Sequence, residues 1–149
     1  MLNKFKRNGI GWLFAIPIIL FGCNNTNMNN NKQANEKLIR DYYAAYEKKD
    51  VNLLNSILDT GFVFNSPVDD HDNLKTYKEK CWPNCENTKK FDIEKLIVDG
   101  DEGFVTYNGW TNDGKMFRNT EYFKLKDGKI LENSCYFGPG VNYPNNTKQ

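Results

Sequence analysis

Between Phe104 and Phe137 the chain reads FVTYNGWTNDGKMFRNTEYFKLKDGKILENSCYF, three aromatic-rich runs cut by Asn-Asp-Gly and Asp-Gly. Aromatic and β-branched runs broken by Asp-Gly are the strongest short-range hairpin signal in a sequence. Asp99-Gly100 joins an earlier run, Phe91 to Val98, to the front. The pattern predicts a four-strand antiparallel meander. One face of such a sheet must be covered, and only the segments before it can do so.

Those segments read as helices. From Glu36 to Lys49, Leu38, Ile39, Tyr42, Tyr43, Ala45 and Tyr46 recur at i, i+3, i+4 spacing, which predicts an amphipathic helix with an aromatic stripe. Asp50 is a good N-cap for a second short helix carrying Val51, Leu54, Ile57 and Leu58, ended by Asp59-Thr60-Gly61. Phe62 to Asn65 reads as a short strand, broken by Ser66-Pro67. After an acidic loop, Asp70 or Asp72 is placed to cap a third helix with Leu74, Tyr77, Cys81 and Trp82 on one face, stopped by Pro83. Helices gathered before an antiparallel sheet define an α+β fold.

The start of the chain is an address. Lys4, Lys6 and Arg7 precede an apolar run from Ile10 to Phe21, too short to span a bilayer comfortably. The run ends in Leu20-Phe21-Gly22-Cys23, which resembles a bacterial lipobox. That resemblance implies a signal peptide over 1–22, cleavage before Cys23 and acylation of its thiol. Acyl chains contribute about 0.8 kcal/mol per buried CH2, so the full set holds a protein on lipid. Residues 23–35, nearly all Asn, are expected to form a structureless lipidated tether. Residues 36–138 are the expected domain and 139–149 a disordered tail. The expected place is the bacterial cell envelope. No Asp follows Cys23 to signal inner-membrane retention, so the outer membrane is the membrane expected.

The net charge is +1 with signs interspersed, and no Lys/Arg block stands out from Lys32 onward, which argues against nucleic acid as a partner. Aromatics make up 14% of the chain, enough for a dense core with rings left over for a pocket or an interface.

Three segments carry a family resemblance: the aromatic first helix running into Lys-Lys-Asp-Val-Asn-Leu-Leu, the strand exit Phe-Val-Phe-Asn-Ser-Pro, and the final Phe-Lys-Leu-Lys-Asp-Gly-Lys-Ile hairpin. From about Asn35 to Gly138 the chain resembles the SnoaL-like branch of the nuclear transport factor 2-like superfamily. The resemblance implies a cone in which a curved, mainly antiparallel sheet wraps three helices and leaves a pocket at its open end. That superfamily holds isomerases, cyclases, dehydratases and transport factors, so the fold alone does not assign an activity.

Strand parity selects the inward residues. Phe117, Asn119, Glu121, Phe123 and Leu125 form the more apolar face of their strand; in the last strand the corresponding set is Leu131, Asn133, Cys135 and Phe137. A three-residue Lys-Asp-Gly turn would set Asn133 opposite Glu121, and a two-residue turn would bring in Ser134 instead. One strand earlier, the alternatives are Val105 and Tyr107, or Thr106, Asn108 and Trp110. Glu121 is the sharpest candidate: burial among rings would raise its pKa and suit it to proton transfer. The structural alternative is a carboxylate paired with Tyr107, Asn119, Asn133 or a basic residue. By resemblance, Glu121 sits where steroid isomerases of the superfamily carry a protonated acid, and Ser66 where they carry a general-base Asp. A hydroxyl cannot do that base's work, which argues against the isomerase reaction.

His71, the only histidine, lies among Asp69, Asp70 and Asp72 and is the second candidate catalytic group, with a solvated loop residue as the plainer reading. Without another His or Cys at ligand spacing, neither a metal nor a cofactor is expected. Cys81 and Cys85 are spaced for a short-loop disulfide or for two inert thiols, and Cys135 reads as a buried free thiol. Tyr42, Tyr46, Phe64, Trp82, Trp110 and Phe137 are candidate walls of an apolar cavity, with Ser66, Tyr107, Asn119 and Asn133 as its polar points. The expected guest is a small, mostly apolar molecule. The opposite sheet face, with Arg118, Tyr122 and Tyr136, is half-aromatic, which points to a homodimer. Three functions follow: a binding module, an enzyme using Glu121 with His71, or an assembly module.

Overall fold

The meander forms as its turn signals dictate. In a computed structural model, which describes residues 24–137, β3 (Thr88–Asp99), β4 (Glu102–Thr111), β5 (Met116–Lys126) and β6 (Lys129–Tyr136) pair antiparallel in sequence order. Before them come α1 (Asn24–Lys48), α2 (Val51–Ile57), β1 (Leu58–Asn65), β2 (Asp72–Asn73), α3 (Leu74–Lys80) and a 3-10 turn (Trp82–Asn87). The sheet order is β2-β1-β6-β5-β4-β3, with β1 parallel to β6 and every other pair antiparallel. This is the expected α+β cone. Register shifts in β1, β3 and β6 bend the sheet around the helices, as bulges do.

The core lies between the concave face and α1. Phe123, Val105 and Ile130 on the sheet and Ile39 and Ala45 on the helix are fully buried. Each large apolar side chain so buried contributes about 1.5–3 kcal/mol. Asp50 caps α2 as expected, accepting from the Leu53 backbone N–H at 2.9 Å.

Four local expectations are corrected. The first helix begins at Asn24 rather than Glu36, so the Asn-rich stretch from Asn24 is helical and not a structureless tether. Extending an existing helix avoids the nucleation cost, and the Asn35 side chain ties it to the β3–β4 turn by donating to the Gly100 carbonyl at 2.9 Å. Asp59-Thr60-Gly61 lies inside β1 instead of ending a helix, with Asp59 Oδ1 accepting from the Gly61 N–H. The third helix is capped by Asn73, whose Oδ1 accepts from the Thr76 N–H, rather than by Asp70 or Asp72. The third helix ends at Lys80, before Pro83 but short of Cys81 and Trp82, which were expected on its face, and the chain goes on turning past the proline. Pro83 sits in the first turn of the 3-10 segment, where a missing N–H costs nothing.

The β5–β6 hairpin decides the site. Its turn is the two-residue form: Lys126 faces Lys129, and Asp127 and Gly128 both take positive φ, which glycine tolerates without strain. That turn alone would have aimed Ser134 inward. A bulge at Leu131 follows, because Leu125 pairs Ile130 while Lys124 pairs Glu132. The bulge restores the parity, so Ile130 replaces Leu131 in the core and Asn133 and Cys135 still face inward. Cys135, not Asn133, stands opposite Glu121.

The expected signal peptide, the lipidation site Cys23 and the tail 139–149 lie outside the described residues. Among the described residues no helix is long and apolar enough to cross a membrane.

Candidate functional site

One tyrosine of α1 and inward residues of β4 and β6 meet at Glu121. The carboxylate is 6% exposed. Tyr107, two residues along β4 from Glu121's register partner Val105, donates its hydroxyl to Glu121 Oε1 at 2.6 Å. The Tyr43 hydroxyl donates to Oε2 at 2.9 Å, and Asn133 Nδ2 donates to the same oxygen at 3.1 Å. Asn119 supports this arrangement, donating to the Tyr107 hydroxyl at 3.1 Å and lying 3.4 Å from Cys135 Sγ.

A second network leads away from it. The Tyr77 hydroxyl lies 2.6 Å from both the Tyr42 and the Tyr46 hydroxyl, and the Tyr42 hydroxyl reaches Asn133 Oδ1 at 3.3 Å. Asn133 therefore links the phenol cluster to the carboxylate.

Burial dominates the electrostatics. It pushes Glu121 above the ordinary carboxyl value of 4.5, against the downward pull of the Tyr107, Tyr43 and Asn133 hydrogen bonds. It also drives the Tyr42, Tyr43, Tyr77 and Tyr107 phenols and the Cys135 thiol well up, so these groups stay neutral at ordinary pH. Glu121 is thus a carboxyl that keeps its proton to higher pH than an ordinary one, with phenol donors already aimed at its oxygens.

A cavity of about 520 Å³ opens above this floor. Of the expected wall residues, Tyr42, Tyr46, Phe64 and Phe137 line it, as do Ser66, Tyr107, Asn119 and Glu121. Ser66 is already committed. Its hydroxyl donates to Asp69 Oδ2 at 2.7 Å and accepts from the Val68 and Asp69 N–H groups, so it shapes a turn at the mouth.

The remaining expected residues fall elsewhere. Asn133 is fully buried beneath Glu121 and does not line the cavity. Trp82 stands behind the wall, its ring edge-on to Tyr46 at 4.9 Å. Trp110 belongs to the opposite parity class from Tyr107 and lies on the outer face, where its indole N–H donates to Asp92 at 2.9 Å and Lys90 sits over its ring. His71 lies outside the cavity with a side chain 79% exposed, its Nδ1 2.6 Å from Asp70 Oδ1. It does not share the cavity with Glu121. Cys81 and Cys85 are free thiols. Three residues per turn sends side chains four apart to different sides of a 3-10 segment, and only Cys81 lines the cavity. Burial pushes the Cys81 thiol up to about 11, which keeps it unreactive.

Tyr43, Phe91, Phe117 and Cys135 also line the cavity; Phe117 and Cys135 were expected to point inward, but none of the four was among the expected wall residues. Tyr43 was readable only as one more member of the helix stripe. Phe91 enters because a register shift between Ile93 and Lys95 reverses the parity of β3 before it. Phe117 packs its ring over Gly109, its register partner, where a Cβ would come within 2.2 Å of the ring. Among the described residues no three His, Cys, Asp or Glu side chains group to hold a metal ion.

Fold and site together define a cone-shaped α+β protein with an aromatic cavity over one buried acid. The family model described as the SnoaL-like domain matches residues 39–133, and the chain belongs to that family. Solved structures agree on the fold. A protein of unknown function from Cytophaga hutchinsonii, described as NTF2-like, is 21% identical with a TM-score of 0.58, covering 70% of this chain and 90% of that one. An epoxide hydrolase from M. tuberculosis is 13% identical with a TM-score of 0.62, covering 72% and 84%. A protein named a putative ketosteroid isomerase from Kribbella flavida is 12% identical with a TM-score of 0.62, covering 79% and 87%. At these identities the likeness is one of fold. No curated protein matches the chain.

Proposed function

We propose that this is a lipid-anchored envelope protein whose cone binds a small, mostly apolar molecule. The observation that carries the reading is the cavity itself: about 520 Å³, lined by many rings, with one acid at its floor and further polar groups around it. Pockets of this size and make-up suit a small ligand held by apolar burial and oriented by a few polar groups. The anchor of the protein is the acylated Cys23, facing the outer membrane. The outer sheet face is a homodimer surface, since Ile97, Phe104 and Tyr136 are about half exposed there, beside Arg118 and Tyr122.

The test is native mass spectrometry of the protein extracted gently from membranes. A bound small molecule is expected, lost when Phe117→Trp fills the cavity. A protein that carries nothing, and binds no apolar probe, overturns the reading.

A second reading, proton transfer on the bound molecule by Glu121, has one observation in its favour: the carboxyl stands above its ordinary range. It runs through Glu121 alone, because His71 is outside the cavity. Conversion of the recovered molecule by the wild type but not by Glu121→Gln would establish it.

A further inference from the structure

We propose that the cavity selects a guest of positive charge: a small organic cation, with an apolar body and an ammonium group directed toward Glu121. This rests on the pocket-binding reading and adds the sign of the guest's charge.

The first support is the charge balance of the walls. Among the described residues lining the cavity, Glu121, Asp69 and Asp113 are acidic and Lys115 is the only cation. Lys115 is already engaged, with its ammonium 2.7 Å from Asp113. At the floor, the groups that hold Glu121 are two phenols, an amide and the Cys135 thiol, which solvate a carboxylate without neutralising it. An ionised Glu121 is therefore a charge in a low-dielectric hollow with neutral partners, and a guest cation answers it.

The second support is the ring geometry. Tyr43, Phe91 and Tyr107 stand edge-on to one another at 5.1, 5.1 and 5.2 Å between centroids, with interplanar angles of 66°, 63° and 87°. All three line the cavity, and two of them bond the carboxylate. Ring faces carry the negative side of the aromatic quadrupole, so a cation lying over the face of any of these rings is attracted to it. An anionic guest would be opposed by both the rings and the acid. A neutral one would gain only apolar burial.

A proton on Glu121 competes with such a guest, so binding weakens as pH falls through the Glu121 titration. The groups facing Glu121 are Tyr42, Tyr43 and Tyr46 on α1, Tyr77 on α3, Tyr107 on β4 and Cys135 on β6. Burial raises the pKa of all six, so they remain neutral across that range. Asp69, Asp113 and Lys115 lie at the mouth.

The experiment compares three probes of one shape by calorimetry: 4-tert-butylbenzylammonium, 4-tert-butylbenzyl alcohol and 4-tert-butylbenzoate. The cation is expected to bind tightest and the benzoate weakest. Cation affinity should fall with pH in the wild type. It should drop roughly ten- to hundredfold in Glu121→Gln, as for a lost hydrogen bond to a charged group, and lose its pH dependence there. The wild-type pH series needs no variant and stands if Glu121→Gln does not fold. Equal or tighter binding of the alcohol, or a cation affinity indifferent to pH, overturns the charge preference and leaves the pocket reading intact. Binding of none of the three overturns both.

Discussion

Tyr107 and Glu121 bond diagonally across two strands. Tyr107 stands opposite Asn119 in the register and Glu121 opposite Val105, yet the Tyr107 hydroxyl meets Glu121 Oε1 at 2.6 Å. Long side chains on one face of a sheet reach diagonal neighbours in this way. A phenol whose own proton is held tightly by burial becomes a fixed donor to a carboxyl that burial pushes above its ordinary range.

The sign of the resulting pH dependence follows from linkage. The folded pKa of Glu121 is raised, so the folded state binds its proton more tightly than the unfolded chain. Glu121's contribution to stability is greatest below the ordinary value of 4.5 and is lost as pH rises through the folded pKa. Urea denaturation across pH 4–8 should show this loss in the wild type, and Glu121→Gln should lack that component. A wild type whose Glu121-dependent stability grows with pH would contradict the assignment.

Tyr77→Phe removes a fully buried hydroxyl that serves both Tyr42 and Tyr46. The expected cost is about 1–3 kcal/mol, the penalty for buried polar groups left without a partner. Denaturant midpoints measure it. Tyr136→Phe, on the exposed face, is the control and should be near neutral.

Gly109→Ala drives a Cβ into the Phe117 ring, with the nearest approach at 2.2 Å. The ring must move into the cavity it lines. Overpacking of this kind costs about 1–3 kcal/mol, and the melting temperature should fall accordingly. Affinity for an apolar probe should fall as well, which separates a shift of this ring from a loss of stability alone.

Cys23→Ser tests the anchor. The wild type should label with a fatty-acid precursor and fractionate with membranes, and the variant should do neither. An unlabelled wild type overturns lipidation.

The Asp-Gly dipeptides and the alternation in β5 made the meander and the inward path of Glu121 readable. The bulge at Leu131 was not, because nothing in Lys-Ile-Leu-Glu marks which residue steps out of the ladder. Asn133 was correctly sent inward with the wrong register partner: a longer turn and a short turn plus bulge give the same parity. Trp110 was on the alternative parity of its strand, and the structure takes the other one. His71 was weighed on its chemistry and its neighbours in sequence. Its positive φ and exposed ring are set by a loop that bonds its N–H to Asn65 Oδ1, a tertiary contact no local pattern announces. Tyr43 was hidden by abundance, since a helix with three tyrosines does not say which hydroxyl meets an acid.

The parallel pairing of β1 with β6 carries one more consequence. Among the described residues, the strand translated last sits in the interior of the sheet, between β1 and β5. Until it is made, the first strand has only a two-residue partner and the acid at the floor lacks its amide donor. Assembly of the hollow therefore waits on the most distant pairing in the domain, and contacts so far apart in sequence form slowly.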